Sequence, residues 1–254
     1  MSTASERKII FLWSCPRTLS TIFQRAMVER GDLTAIHEPF AYVFYIAEKR
    51  AYIPHFHTDP NHPLLYEEVK SMIINKELEE KTKHIFVKDM CYHAIDHLER
   101  DPDMLTQYTH TLLIRDPVKV IASHFTMDNN VGLEAIGMEA QWRLFNKIQE
   151  LTGKPPVIVD ADDFQQQPHK LLKLYANAVG LATDVVKTTW NTGMLKIWET
   201  WLEWHLDAAN TTGILPPTSR QRHRAVLNAN PHLLDYLDYH LPFYQKLAEH
   251  RLAI

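Results

Sequence analysis

Arginine and hydroxyl side chains gather at two places in this chain. The first is the turn Ser14-Cys15-Pro16-Arg17-Thr18-Leu19-Ser20-Thr21, which links the apolar run Ile9–Trp13 to an amphipathic segment. A strand-to-helix turn leaves backbone N–H groups unpaired at the positive end of the helix dipole, and both favour an anion. Thr18, Ser20 and Thr21 add hydroxyl donors, and Arg17 adds a fixed charge with several N–H groups. The second place is LLIRDPVKVIASHF, where Arg115 ends an apolar run and Ser123 follows eight residues later, about two helical turns along. A strand-end arginine and a helical serine on one sheet edge can grip a second phosphate. Each stretch alone also has a plainer reading: a turn with a surface arginine, or an Arg115–Asp116 pair beside a small buried serine. Neither stretch is a magnesium-dependent nucleotide loop, because G-x-x-x-x-G-K-[ST] needs glycines and a lysine that the first turn lacks.

The surrounding pattern supplies elements to hold these residues. Ile9–Trp13 is continuously apolar, as a strand covered on both faces should be. Leu19, Ile22, Phe23, Ala26 and Met27 then share one helical face, and Arg30 with Gly31 ends that helix. LTAIHEPF reads as a short strand ending at His37 and Glu38. HIFVKDM (84–90) is a third strand, HTLLIRD (110–116) a fourth and VIVD (157–160) a fifth. Asp116 and Pro117 make an N-cap and first-turn proline. Helices are expected over 64–82, 133–151 and 168–179, and over most of the remainder apart from a proline break at 215–217. Residues 40–66, aromatic and proline-broken, read as a covering lid. Strands alternating with helices predict an α/β fold, a parallel β-sheet flanked by helices with a helical C-terminal part, as a single domain over 1–254.

Composition narrows the function classes. The 27 basic and 31 acidic residues leave a net charge of -4, which excludes a polybasic nucleic-acid binder. Two cysteines argue against a disulfide framework and for a reducing compartment, and the apolar run near the N-terminus is too short for a secretory or membrane-spanning segment. The expectation is a cytoplasmic protein with no membrane span.

Taken together and in order, these stretches resemble the sulfotransferases that use 3'-phosphoadenosine-5'-phosphosulfate (PAPS). Pro16, Arg17, Thr18, Leu19, Ser20 and Thr21 match the family's P-K-S-G-T-T loop for the 5'-phosphosulfate, with arginine for lysine and leucine for glycine. Arg115 and Ser123 match its 3'-phosphate pair. VIVDADDFQQQPHKLLKLYANAVGL (157–181) resembles its strand with an acidic end, followed by a proline-started helix. SCPRTLST with HEPF is similar to the branch with a serine- or cysteine-proline-arginine loop. The resemblance implies a P-loop nucleotide-kinase-like sulfotransferase fold, PAPS as co-substrate, and sulfonate transfer to a hydroxyl or amine of a small-molecule acceptor. No metal is required, since a sulfonate carries less charge than a terminal phosphoryl group. A kinase on a related fold, or a non-catalytic nucleotide-binding relative, are the alternatives.

The departures define the open roles. The family's C-terminal R-K-G loop is replaced by TSRQRHRAV (218–226), which offers Arg220, Arg222 and Arg224 for the 3'-phosphate or else is a solvated helix start. The K-x-H motif of many relatives reads Lys88-Asp89-Met90, without its histidine. Arg17 is expected to offset charge on the departing phosphate, and Lys88 to contact the sulfonate. Glu38 is the first choice for general base, with burial among Phe40, Tyr42 and Phe44 expected to raise its pKa. His37 and His93 are weaker candidates. His55, His57 and His62 could share a metal, although a polar loop is the better reading. Trp198, Trp201 and His205 are expected on one helical face, as core or as cover for an apolar acceptor. Cys15, at a helix start beside Arg17, favours a thiolate. It is no phosphatase nucleophile, because C-x5-R would need arginine where Thr21 stands.

Overall fold

A computed structural model of the protein describes residues 7–217 and 219–254. The extreme N-terminal stretch and Thr218, the first residue of the basic segment, lie outside the described residues. Five strands form the sheet: β1 Ile9–Ser14, β2 Leu33–His37, β3 His84–Met90, β4 Thr109–Ile114 and β5 Val157–Asp160. All pair in parallel, in the order β2-β3-β1-β4-β5. The order runs outward from β1 to both sides, so a crevice opens at the carboxyl end of β1, where ligands of such sheets sit.

The continuous apolar runs are explained by two covered faces. Along β1, Phe11 and Trp13 enter one core with Phe40, Tyr66, Val69, Leu144 and Phe145. Ile10 and Leu12 enter the other, with Phe23, Phe164, Leu171 and Tyr175. The period-2 alternation of a strand sends neighbours to opposite faces. The helices are α1 Ser20–Val28, α2 Tyr66–Ile74, α3 Ile95–Leu98, α4 Pro102–Gln107, α5 Pro117–Met127, α6 Met138–Thr152, α7 Ala161–Gln166, α8 Pro168–Ala178, α9 Leu202–Ala209, α10 Arg220–Ala229 and α11 His232–Ala248. A third apolar cluster joins Val118 and Ile121 of α5 to Leu227 of α10 and Leu233 and Leu237 of α11. Among the described residues, no helix is long and apolar enough to cross a membrane.

Several boundaries moved for identifiable reasons. β4 stops at Ile114, because Asp116 leaves the ladder to cap α5, its carboxylate accepting from Val118 N at 2.9 Å. The helix expected over 133–151 begins at Met138, because Gly137 at φ 82 separates it from a 3-10 turn at Glu134–Ile136. The helix expected over 64–82 spans only Tyr66–Ile74. The lid reading of 40–66 is corrected for its first part: Tyr42–Ala47 is a π-helical turn with Tyr42, Val43, Phe44 and Tyr45 buried. Aromatic density there marks core.

One core histidine makes stability pH-dependent. His110 Nδ1 accepts from Trp13 Nε1 and its Nε2 donates to the Met104 carbonyl, both at 2.9 Å. That pattern requires neutral imidazole, and burial holds its pKa down at about 4. The folded value lies below the unfolded one, so this stability is complete above the unfolded pKa of about 6.5 and is lost as pH falls towards 4. Going from about pH 7.5 to about pH 5.5 is expected to remove about 1.4 kcal/mol through His110. Urea unfolding at the two values checks it, and H110Q should remove that share of the slope.

Candidate active site

Five residues, 15 to 19, join β1 to α1. Without glycine, the turn closes by placing Arg17 and Leu19 in the left-handed region, at φ 62 and 65, a conformation costing an L-residue about 1–2 kcal/mol. Leu19 is the N-cap of α1, and no side chain caps that helix end. Its first-turn N–H groups are thus not consumed by a side-chain cap. The fold brings the second stretch directly onto this turn. Arg17 Nε donates to Ser123 Oγ at 2.9 Å, and an Arg115 terminal nitrogen donates to the Arg17 carbonyl at 2.7 Å. Arg115 is 5% exposed, and its Nε is buried without a partner among the described residues, Asp162 Oδ1 standing 3.8 Å away. Burial lowers the pKa of both arginines, with Asp207 partly offsetting it for Arg17 and Asp162 for Arg115.

These groups open onto a cavity of about 900 Å³. On one side stand Pro16, Arg17, Leu19, Arg115 and Ser123, with Ser20 and Thr21 at the helix start. Ile214, Leu215, Pro216 and Pro217 form an apolar wall beside them. Gln165 of α7 pins that wall, its amide donating to the carbonyls of Leu215 and Pro216 at 2.8 and 3.2 Å. Aromatic residues gather in another part of the lining: Tyr45, which touches Tyr92, His93 and Trp201, with Trp204 and Met90. A second cavity of about 800 Å³ adjoins the first, and Tyr45, Ile53 and His124 line both.

Some expected residues are absent from this cavity. Thr18 is fully buried and its hydroxyl braces the turn by donating to the Cys15 carbonyl at 2.7 Å. Cys15 is corrected from thiolate to thiol: burial pushes its pKa far up, and Sγ bonds Gln141 Oε1 at 3.0 Å. Arg220 and Arg222 do not line the cavity. Packing of Val226 and Leu227 against α5 turns them outward, and Arg220 instead pairs with Asp116 at 2.5 Å while 58% exposed. Arg224 is half-buried elsewhere, and His223 is the residue of α10 that lines the cavity. His55 and His57 flank exposed Glu203, and His62 stacks on Tyr42. Trp198 and Trp201 belong to a 3-10 segment, Lys196–Trp201, that precedes α9. Trp198 is core, while Trp201 reaches the cavity.

Glu38 lines the cavity, but Lys88 lies beneath it. Lys88 is fully buried and forms a short ion pair with Glu38, so the expected contact between Lys88 and a sulfonate is not what the fold presents. Nor is Glu38 a carboxylate isolated among aromatic rings, since an ammonium already bonds it. A hydrogen-bond chain surrounds the pair. Gln24 Nε2 donates to the Ile36 carbonyl, which turns Oε1 towards Trp198 Nε1 at 3.0 Å and His37 Nδ1 at 2.6 Å. His37 therefore carries its proton on Nδ1, and its Nε2 accepts from His205 Nε2 at 2.8 Å. His205 Nδ1 is left to accept from Thr21 Oγ1 at 3.4 Å. Both rings are neutral: burial, with Lys88 nearby, holds His37 well below the ordinary range and His205 at about 3. His37, Glu38 and His205 could geometrically share a cation, their ligand atoms lying within 4.8 Å. The Lys88 ammonium already occupies the carboxylate, so the group serves as a hydrogen-bonded support for Thr21. Gln24 and Gln165 carried no spacing signal in the sequence, because each acts through tertiary contacts alone; His205 was legible only as part of a helical face with Trp198 and Trp201, and 215–217 only as a proline break.

Comparison with known proteins adds three findings. A family model described as a sulfotransferase domain matches residues 8–250. Two curated proteins of Arabidopsis thaliana, branched-chain-amino-acid aminotransferase-like proteins 1 and 2, are 23% and 22% identical, over alignments covering 97% and 96% of this chain. The chain spans 42% of the length of each. Among solved structures, a sulfotransferase from Alicyclobacillus acidocaldarius superposes with a TM-score of 0.52 at 12% identity, over 89% of this chain and 96% of that one. The sulfotransferase domain from the curacin biosynthetic pathway gives 0.50 at 13%, over 88% and 97%. At such identities the two structures attest the shared fold.

Proposed function

Because the chain belongs to the sulfotransferase domain family, whose model matches it from residue 8 to residue 250, we propose that it transfers a sulfonate from PAPS to a hydroxyl or amine of a small acceptor. The observation that carries this reading is the convergence of Arg17 and Arg115. They lie 98 residues apart in the chain, yet they meet at one cavity beside the uncapped start of α1. Arg115 lines that cavity, and its Nε faces Asp162 Oδ1 at 3.8 Å, so its remaining terminal N–H group is the one that suits an anionic ligand.

PAPS would supply the activated sulfonate. In this reading Arg17, Ser20, Thr21 and the first N–H groups of α1 hold the 5'-phosphosulfate, and Arg115 with Ser123 holds the 3'-phosphate. Leu215, Pro216 and Pro217 offer the apolar surface a purine needs. The main work of these residues is placement and charge balance: two guanidiniums in a partly dry cavity offset charge that grows on the departing bisphosphate. Glu38 keeps Lys88 neutralised under the floor, and the His205 chain orients Thr21. The acceptor would enter at the aromatic part of the lining.

Calorimetric titration tests the donor. Tight binding of 3',5'-ADP without metal is expected, and weak or no binding of ATP with Mg²⁺. The reverse preference would replace this reading with a kinase. Binding of 3',5'-ADP without any turnover of PAPS would instead mark a non-catalytic relative.

A further inference from the structure

We propose that His93 is the general base that takes the proton from the acceptor, with Asp89 as its positioning residue; the inference rests on the sulfotransfer reading above. His93 sits on the 3-10 turn Cys91–His93 that follows β3. Its Nδ1 lies 2.7 Å from Asp89 Oδ1, and both side chains are 1% exposed. Asp89 is fixed independently of His93. Oδ2 accepts from Phe40 N and Oδ1 from Met90 N, both at 2.7 Å. A carboxyl group that receives only N–H donors acts as an acceptor, so the hydrogen of the Asp89–His93 contact belongs to His93 Nδ1. In the neutral ring the lone pair is then on Nε2. That atom is buried and has no partner among the described residues, and His93 belongs to the aromatic part of the cavity lining. A histidine oriented through one nitrogen by a carboxylate, with the other nitrogen buried and unpartnered in the wall of a cavity, is arranged as a base that lacks only an O–H partner.

Glu38, His205 and His124 are engaged or unoriented, and His223 is oriented only by the Ser219 carbonyl at 2.9 Å, with no carboxylate behind it. Glu38 is bonded by Lys88. Both nitrogens of His205 are used, by His37 and Thr21. His124 lines both cavities, but among the described residues its Nδ1 has no partner and no carboxylate sets its tautomer. The groups around His93 are Asp89 of β3 and the rings of Phe44, Tyr45 and Tyr92. The two tyrosine hydroxyls bond one another at 2.9 Å, and burial raises both their pKa values, so they remain neutral beside it. In the step itself, the acceptor O–H proton passes to His93 Nε2 as the acceptor oxygen bonds sulfur. The bond from sulfur to the 5'-phosphate oxygen breaks, and its electron pair leaves with 3',5'-ADP.

The test is single-turnover transfer from saturating PAPS to phenol and to 4-nitrophenol, at mildly alkaline pH, by the wild-type chain, H93A and H93Q. Transfer to phenol should fall on the order of 10²–10⁴-fold in both variants. The loss should be much smaller with 4-nitrophenol, which is already largely ionised and needs no base. Binding of 3',5'-ADP should stay within about twofold, a change worth well under 1 kcal/mol. Unchanged transfer to phenol, or equal losses with both acceptors, would overturn the base assignment. Nitrogen-15 spectra of the wild-type chain test it without an acceptor: His93 should show the Nδ1–H tautomer, and an Nε2–H tautomer would also overturn it. Failure of the wild-type chain to bind 3',5'-ADP would remove the donor reading on which the step depends.

Discussion

Arg115→Ala is expected to weaken binding of 3',5'-ADP by on the order of 100-fold or more while leaving the fold intact. Two losses add up. The variant removes a charged donor facing the cavity, an interaction of about 1.5–3 kcal/mol. It also removes the bond to the Arg17 carbonyl that fixes the backbone of the turn. Stability should change little, because the guanidinium is buried with Nε unpartnered and so brings a desolvation cost of its own. Asp162 retains Lys119 at 2.7 Å. Arg115→Lys should recover only part of the affinity, since an ammonium cannot span the Arg17 carbonyl and a ligand with one planar fork. Titration calorimetry with parallel thermal melts measures both quantities. Affinity within about threefold of wild type, a difference below 1 kcal/mol, would separate Arg115 from the donor site.

Lys88→Met should act in the opposite way, on stability first. The variant leaves Glu38 as an unpaired carboxylate, 5% exposed, next to His37 Nε2 at 3.4 Å. Breaking a buried pair by removing one partner costs about 3–5 kcal/mol. The double variant K88M/E38L should regain most of that, because an apolar replacement of the whole pair avoids the stranded charge. Urea unfolding of the three proteins is the measurement. A single variant as stable as wild type would show that the carboxylate finds water from the cavity, and the pair would lose its role as the floor of the site.

Much of the scaffold was readable because burial leaves a periodic mark. β3 and β5 fall on the residues that their apolar runs delimit, and Asp116-Pro117 marks the start of α5 through its own cap chemistry. The meeting of Arg17, Arg115 and Ser123 follows from strand ends sharing one sheet edge, so spacing sufficed. Direction at a strand end is harder to read. Lys88 pairs in register with Leu12 and His37, and its alternation carries it below the cavity. No pattern of types distinguishes a lysine that rises from one that is buried. Thr18 shows the same limit within a turn, where a positive φ at Arg17 directs its hydroxyl inward. His93 had no motif to announce it. Its place depends on a single 3-10 turn and on a carboxylate fixed by the amide of Phe40, a residue that reads in sequence only as aromatic cover.

Tyr45, Ile53 and His124 are a partition between two chambers, and a partition three side chains across is easily remodelled. Shrinking Tyr45 would merge the chambers into one trough, and a bulkier residue at Ile53 would seal them apart. Neither change touches the arginine side. The size of the molecule that can be accommodated is thus adjustable independently of Arg17 and Arg115, so under the proposed function divergence in substrate range needs no change in the residues assigned to the donor.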